Sequence, residues 1–240
     1  MDQKQYRRYL LAAILLVGLL PVLGYYGARF IPNPDFGMFI GKENWEAKKL
    51  IYVQSWQYYL RLAIGIVSMQ TACTAGMLLS FVVVLRGGFV KALPFLGLLL
   101  AGPLASMLLP DVLHPAEVTG PVFVGLYWYQ NIPFYLKFVP IGILPFAGVL
   151  IACFVGTHLR KGHASEWKQF LWMTAIAFLF PVVLGLALIG IERYWIPGVY
   201  YTMWYSTMVL WTGVQALLAT ATYLVGWKRI FRQTIPTKQA

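Results

Sequence analysis

Three side chains that can bind a metal ion or exchange a proton lie close together in the segment 110–117. Asp111, His114 and Glu117 follow one another at intervals of three residues. Imidazole and carboxylate groups are suitable metal ligands. A histidine titrates near neutral pH, so the same groups can accept protons from a quinol or another substrate at a membrane surface. Because Pro115 breaks a continuous helix, the three need not share a face. The pattern leaves open a metal site, a proton-handling site and a solvated loop that contacts a partner.

Other patterns for chemistry are weak in this sequence. It contains no Walker motif, no His-Glu-x-x-His and no Gly-x-Ser-x-Gly, the spacings that serve phosphate binding, zinc hydrolysis and a serine nucleophile. Its three histidines are His114, His158 and His163, all outside the apolar runs. We therefore expect no bis-histidine haem within this chain, whereas a bound quinone or lipid stays open.

The elements that must position these residues are apolar helices. Hydrophobic residues make up 60% of the 240 residues and charged residues 11%, against about 45–50% and about 25% in soluble domains. Six apolar runs are long enough to cross a bilayer as helices. They cover residues 10–26, 60–85, 92–109, 138–157, 170–191 and 203–227. The sequence thus predicts an all-α polytopic integral membrane protein with one transmembrane domain, 1–240, built as a bundle of about six helices.

The net charge of +11 is distributed very unequally across such a bundle. Six spans put both termini on one side, which then carries twelve Lys and Arg against two Asp and Glu, whereas the other side carries seven against six. Positive loops stay in the cytoplasm, so we predict that both termini are cytoplasmic, in a bacterial or archaeal cytoplasmic membrane. The basic charge marks orientation, and we expect no nucleic-acid partner.

The predicted outer loops, 28–59, 110–137 and 192–201, are long and aromatic compared with the cytoplasmic ones. Aromatic side chains gather at membrane interfaces, but such loops can equally form a docking surface for other protein subunits. Within the second loop, the apolar segment 118–129 is too short to span and is either re-entrant or interfacial.

Away from their ends, the predicted spans contain only uncharged polar side chains. No span carries an ionisable side chain at its middle, while Arg61 and Lys137 lie near span ends, where such side chains can reach the interface. Small residues recur every four positions, a pattern typical of close helix packing. The positions are Ser68, Ala72, Gly76 and Ser80 in the second span and Thr212, Ala216 and Thr220 in the sixth. Beside them, Gln70 and Gln215 indicate either packing or the lining of a polar cavity.

These features favour three functions, in this order. The first is a non-catalytic integral membrane subunit of a larger complex, electron-transfer or quinone-linked, that anchors partners through its outer loops. The second is a transporter or permease for a small neutral or hydrophobic solute. The third is an intramembrane enzyme acting on a lipid-like substrate, with Asp111, His114 and Glu117 as its candidate catalytic residues.

Overall fold

The computed structural model describes residues 1–32, 34, 51, 54–113, 146–158, 165–195 and 201–230, and within these it describes the backbone alone at 25, 29, 102–113, 188–189, 191–195, 201–208 and 227–230. The described residues are almost entirely helical and include no strand. The first helix, α1, joins Gln3–Ala13 and Leu20–Arg29 through a π-helical stretch, Ile14–Leu19. The others are α2 (Trp56–Gly87), α3 (Phe89–Leu113), α4 (Phe146–His158), α5 (Glu166–Trp195) and α6 (Tyr201–Ile230).

Four of these helices, among the described residues, are long and apolar enough to cross a membrane. The qualifying stretches are Gln3–Ala28 in α1, Trp56–Gly87 in α2, Glu166–Ala187 in α5 and Val209–Gly226 in α6. The described apolar parts of α3 and α4, Phe89–Ala101 and Phe146–His158, are shorter. The prediction of an all-helical fold with several helices able to cross a membrane is confirmed for the described residues.

Each predicted span lies within or overlaps an observed helix, and most of the helices extend further into the predicted loops. α2 begins at Trp56 because Ser55 caps it, its Oγ accepting a hydrogen bond from the amide of Tyr58 at 3.2 Å. α3 reaches Leu113 and α5 reaches Trp195. Most of the predicted outer loops, including 118–129, lies outside the described residues.

Neighbouring helices alternate in direction. Met1 at the start of α1 donates a hydrogen bond to the carbonyl of Arg86 at the end of α2, and α3 starts beside them after Gly88. That glycine has a φ of 90°, a backbone conformation that other residues rarely adopt. Its amide donates to the carbonyl of Val84 at 3.0 Å and ends α2. We call this the Arg86 end of the bundle.

The later helices keep the same alternation. Glu166 at the start of α5 forms an ion pair with Arg86, so α5 also begins at the Arg86 end. α4 runs antiparallel to α5, because Gly148 lies against Ala177 whereas Gly156 lies against Met173. α6 runs toward the Arg86 end, where Tyr223 stacks on Phe170. Odd-numbered helices thus leave this end and even-numbered helices return to it.

The central element is α2, which contacts α1, α3, α5 and α6. Of its most apolar 18-residue stretch, 56% is buried, against 24% of the corresponding stretch in α1, 33% in α5 and 22% in α6. The small-residue stripe of α2 is buried throughout. At Gly76 an added Cβ would lie 2.6 Å from Leu99 Cδ1, so the missing side chain is what lets α3 approach.

The stripe predicted in α6 is less regular. Thr212 is buried, whereas Ala216 and Thr220 are half-buried. The buried face of α6 instead continues through Gln215, Ala219 and Tyr223. The spacings along this face are three, four and four residues, because an α-helix has 3.6 residues per turn.

Candidate functional site

The structure describes only part of the predicted site formed by Asp111, His114 and Glu117. Asp111 lies in the last turn of α3, where the backbone alone is described, and His114 and Glu117 lie outside the described residues. Among the residues that can be examined, no group of three His, Cys, Asp or Glu could hold a metal ion. The metal and proton-handling alternatives for Asp111, His114 and Glu117 therefore stay predictions.

The structure brings together a different set of polar side chains, where α2 faces α6. Gln70 and Thr74 come from α2, and Thr212 and Gln215 come from α6. The side chain of Cys73 interacts with both Gln215 and Trp211. We call these five side chains, Gln70, Cys73, Thr74, Thr212 and Gln215, the α2–α6 polar cluster.

The polar cluster lies at mid-depth in the bundle. Gln70 and Thr74 are near the middle of the 32 residues of α2, and Gln215 is near the middle of the 30 residues of α6. At about 1.5 Å per residue, both helices exceed the roughly 30 Å of a hydrocarbon core. The side chains of Gln70 and Thr74 are each only 9% exposed, so surrounding water does not hydrate them.

Only the NH₂ group of the Gln70 amide has a hydrogen-bond partner among the described residues. Its Nε2 donates to the backbone carbonyl of Trp211 at 3.4 Å, which ties its amide to α6. Only the NH₂ group can donate to a carbonyl, which fixes the orientation of the amide. Its Oε1 is buried and has no hydrogen-bond partner among the described residues.

Thr74 differs from four other hydroxyls in the described helices. Ser68, Thr157, Thr174 and Thr212 each donate to a carbonyl of their own helix one turn back, the ordinary arrangement for such side chains. In contrast, the Oγ1 of Thr74 is buried with no partner in the part of the chain described. The same holds for Ser80, which is fully buried on a different face of α2.

Gln70 and Thr74 are four residues apart, so they lie on one face of α2, a single turn from each other. A buried polar atom without a partner costs about 1–3 kcal/mol, and two such atoms lie here on adjacent turns. The α2–α6 polar cluster offers amides, hydroxyls and one thiol, and no charged side chain.

A second polar region closes the Arg86 end. Arg86 Nε lies 3.3 Å from Glu166 Oε1, and the amino group of Met1 donates to the Arg86 carbonyl at 3.2 Å. These contacts join α1, α2 and α5. The pair is partly exposed, 21% for Arg86 and 43% for Glu166, and pairs of this kind contribute about 0–1 kcal/mol.

Below this ion pair, aromatic side chains continue the link to α6. Phe81 meets Phe170 edge to face at 5.8 Å, and the Phe170 ring stacks on Tyr223 at 3.9 Å. Trp167 also stacks on Tyr223, with the ring centroids 5.8 Å apart. Three helices therefore share one aromatic layer between the ion pair and the polar cluster.

No family model matches this chain, and neither a curated protein nor a solved structure is similar to it.

Proposed function

We propose that the chain is a six-span protein of a bacterial or archaeal cytoplasmic membrane with both termini in the cytoplasm. The alternating helix directions support an even number of crossings, since Met1 and the C-terminal half of α6 lie toward the same end. The Arg86 end holds the exposed cations Lys4, Arg7, Arg8, Lys91 and Lys168, which agrees with the charge rule for cytoplasmic faces.

Within that membrane, the protein carries a small uncharged solute, and the solute binds at the α2–α6 polar cluster. The observation that supports this function is the pair of buried oxygen atoms, Gln70 Oε1 and Thr74 Oγ1, that lack partners among the described residues. Hydrogen-bonding groups at mid-depth replace the water that a solute gives up when it enters the membrane. The absence of charge from the middle of the spans matches a neutral solute.

Flux through the purified chain tests this function. The protein is reconstituted alone into liposomes, and permeabilities to glycerol, urea and acetamide are measured by stopped-flow light scattering against protein-free vesicles. We expect faster entry of at least one of the three. Gln70→Leu should remove the increment, whereas Thr71→Val should keep it, because Thr71 is exposed on another side of the same helix.

If a correctly folded protein produced no increment with any of these probes, the carrier function would be wrong. Folding of each variant is checked by helical circular dichroism and by a single symmetric peak in size-exclusion chromatography.

A second candidate is the non-catalytic subunit of a larger membrane complex, electron-transfer or quinone-linked. The observation that favours it is the exposure of large apolar side chains on faces of α5 and α6, where Trp172, Val183 and Leu217 are 63%, 64% and 73% exposed. Lipid or the helices of other subunits can cover such faces. Gentle detergent purification with mass spectrometry of co-purifying chains separates the two candidates. A stoichiometric partner supports the subunit, and a lone chain that conducts solute supports the carrier.

A further inference from the structure

We propose that the α2–α6 polar cluster selects solutes that carry a hydrogen-bond donor, with primary amides, ureas and alcohols bound in preference to tertiary amides and ethers. The inference rests on the proposed carrier function and adds the class of substrate. It follows from which atoms of the cluster are left without partners.

The first step concerns Gln70. One N–H of its NH₂ group is engaged with the Trp211 carbonyl, and the amide atom that has no partner among the described residues is Oε1, a pure acceptor. An acceptor can be satisfied only by an N–H or O–H group. A solute that offers only lone pairs leaves Gln70 Oε1 buried and unpaired.

The second step concerns Thr74, one helical turn further along the same face. Its hydroxyl can accept a hydrogen bond as well as donate one, and it is not engaged with its own helix. A solute NH₂ has two N–H groups, which suit two oxygen atoms placed on neighbouring turns. A hydroxyl can satisfy one of them and accept from the other.

The third step excludes cations, which are also donors. An ammonium group buried at mid-depth requires a negative partner, and the cluster contains none. Among the acids whose side chains the structure describes, Asp2 caps the start of α1 and Glu166 is paired with Arg86, both at the Arg86 end of the bundle. The selected solutes are therefore uncharged.

The test compares two amides that differ in their donors. Acetamide has two N–H groups and N,N-dimethylacetamide has none, while both keep the carbonyl. In liposomes that contain the full chain, we expect the protein-dependent increment in permeability to be at least about tenfold greater for acetamide, the factor that corresponds to one unpaired buried acceptor. Each increment is taken over protein-free vesicles of the same lipid, because the methylated amide crosses lipid more readily.

The variants locate the preference. Thr74→Val keeps nearly the same shape without the hydroxyl, and it should reduce the acetamide preference several-fold. Gln70→Met keeps the length of the side chain without the acceptor, and it should lower the acetamide increment to that of N,N-dimethylacetamide or below. Thr71→Val is the matched control and should leave the preference unchanged.

The outcomes separate the two proposals. Equal increments for the two amides in the wild-type protein would overturn donor selection and leave the carrier function standing. A preference that survives both Thr74→Val and Gln70→Met would overturn the assignment to this cluster. No increment for either amide, or for glycerol and urea, from folded protein would overturn the carrier function and the selectivity together.

Discussion

Arg61 is a cation near the end of α2 that lies opposite the Arg86 end, and its partners are backbone carbonyls. Its guanidinium donates to the carbonyl of Ala28 at 3.3 Å and also to that of Ile31. Ala28 lies in the last turn of α1 and Ile31 lies two residues beyond its end, where carbonyls lack the regular helical hydrogen bond; the Ala28 carbonyl also accepts from the amide of Ile31 at 3.4 Å. A cation also favours the negative end of a helix dipole. The sequence predicts that Arg61 reaches the interface, but the identity of its partners depends on how α1 packs on α2.

Arg61→Met should therefore destabilise the protein although it keeps an apolar stem of similar length. We expect the free energy of unfolding to fall by about 1.5–3 kcal/mol, the usual contribution of hydrogen bonds to a charged group. The measurement is the fraction of folded protein after heating, followed by size-exclusion chromatography. Arg61→Lys, which keeps the charge and part of the bonding, should lose less; equal losses for the two variants would contradict this role.

For the polar cluster, the sequence predicts which residues are polar but does not predict how they are arranged. Gln70 and Gln215 are recognisable as polar groups in apolar spans, and packing and cavity lining both stay open at that level. Gln70 binds a carbonyl 141 residues away, and no spacing within one helix reports such a partner. The contrast between Thr74 and the back-bonded hydroxyls also depends on coordinates, because the sequence presents all of them as Ser or Thr in a helix.

Among the described glycines, Gly148 in α4 is the one at which an added Cβ would come closest to the backbone of another helix, α5. A Cβ added at Gly148 would lie 2.7 Å from the carbonyl oxygen of Ala177 and 2.8 Å from Pro181 Cδ. Neither atom belongs to a flexible side chain, so the helices themselves would have to separate. Pro181 contributes to this contact because it lies inside α5.

Gly148→Ala should accordingly destabilise the bundle by about 1–3 kcal/mol, the range for overpacking. Gly97→Ala is the matched control, because Gly97 is a helical glycine with nothing within 4 Å of an added Cβ. There the better helix propensity of alanine should leave stability unchanged or raise it by up to about 1 kcal/mol. Thermal unfolding of both variants in the same detergent gives the comparison, and a Gly148→Ala protein as stable as the Gly97→Ala protein would refute the contact.

Element boundaries show a similar division between what local sequence decides and what packing decides. The apolar runs locate the helices, because burying an unpaired backbone in lipid is costly. Their ends depend on individual polar contacts, such as the Ser55 cap that extends α2 to Trp56. Which helix is central cannot be read from apolarity, since α5 has the higher mean hydropathy, 2.2 against 1.7, and yet α2 is the more buried.

For the whole molecule, the two ends of the bundle differ in how they are held. The Arg86 end joins three helices through an ion pair and the amino group of Met1. The opposite end joins α1 to α2 through Arg61. Charge counting along the sequence is enough to predict that the basic segments share one side, because the alternation of spans and loops determines sidedness.

Topology reporters check the membrane orientation directly. Green fluorescent protein fused after Ala240 should fluoresce, and alkaline phosphatase fused at the same position should be inactive, since the former matures in the cytoplasm and the latter outside it. The charge rule gives the reason, with twelve Lys and Arg predicted on that side. A fusion after Leu113, at the end of α3, should give the reverse pattern; the same pattern at both positions would contradict the six-span arrangement.

The π-helical stretch in α1 determines where a residue can be deleted from this helix. It ends at Leu19, two residues before Pro21, and the amide of Leu20 donates to the carbonyl of Leu15, five residues back rather than four. A π-helical turn holds one residue more than an α-helical turn. Loss of a single residue from Ile14–Leu19 would therefore restore an ordinary helix and leave Tyr9 and Gly24 facing their present neighbours. A deletion elsewhere in a span would rotate all that follows by about 100°, so α1 contains one segment where a deletion preserves the packing of both halves.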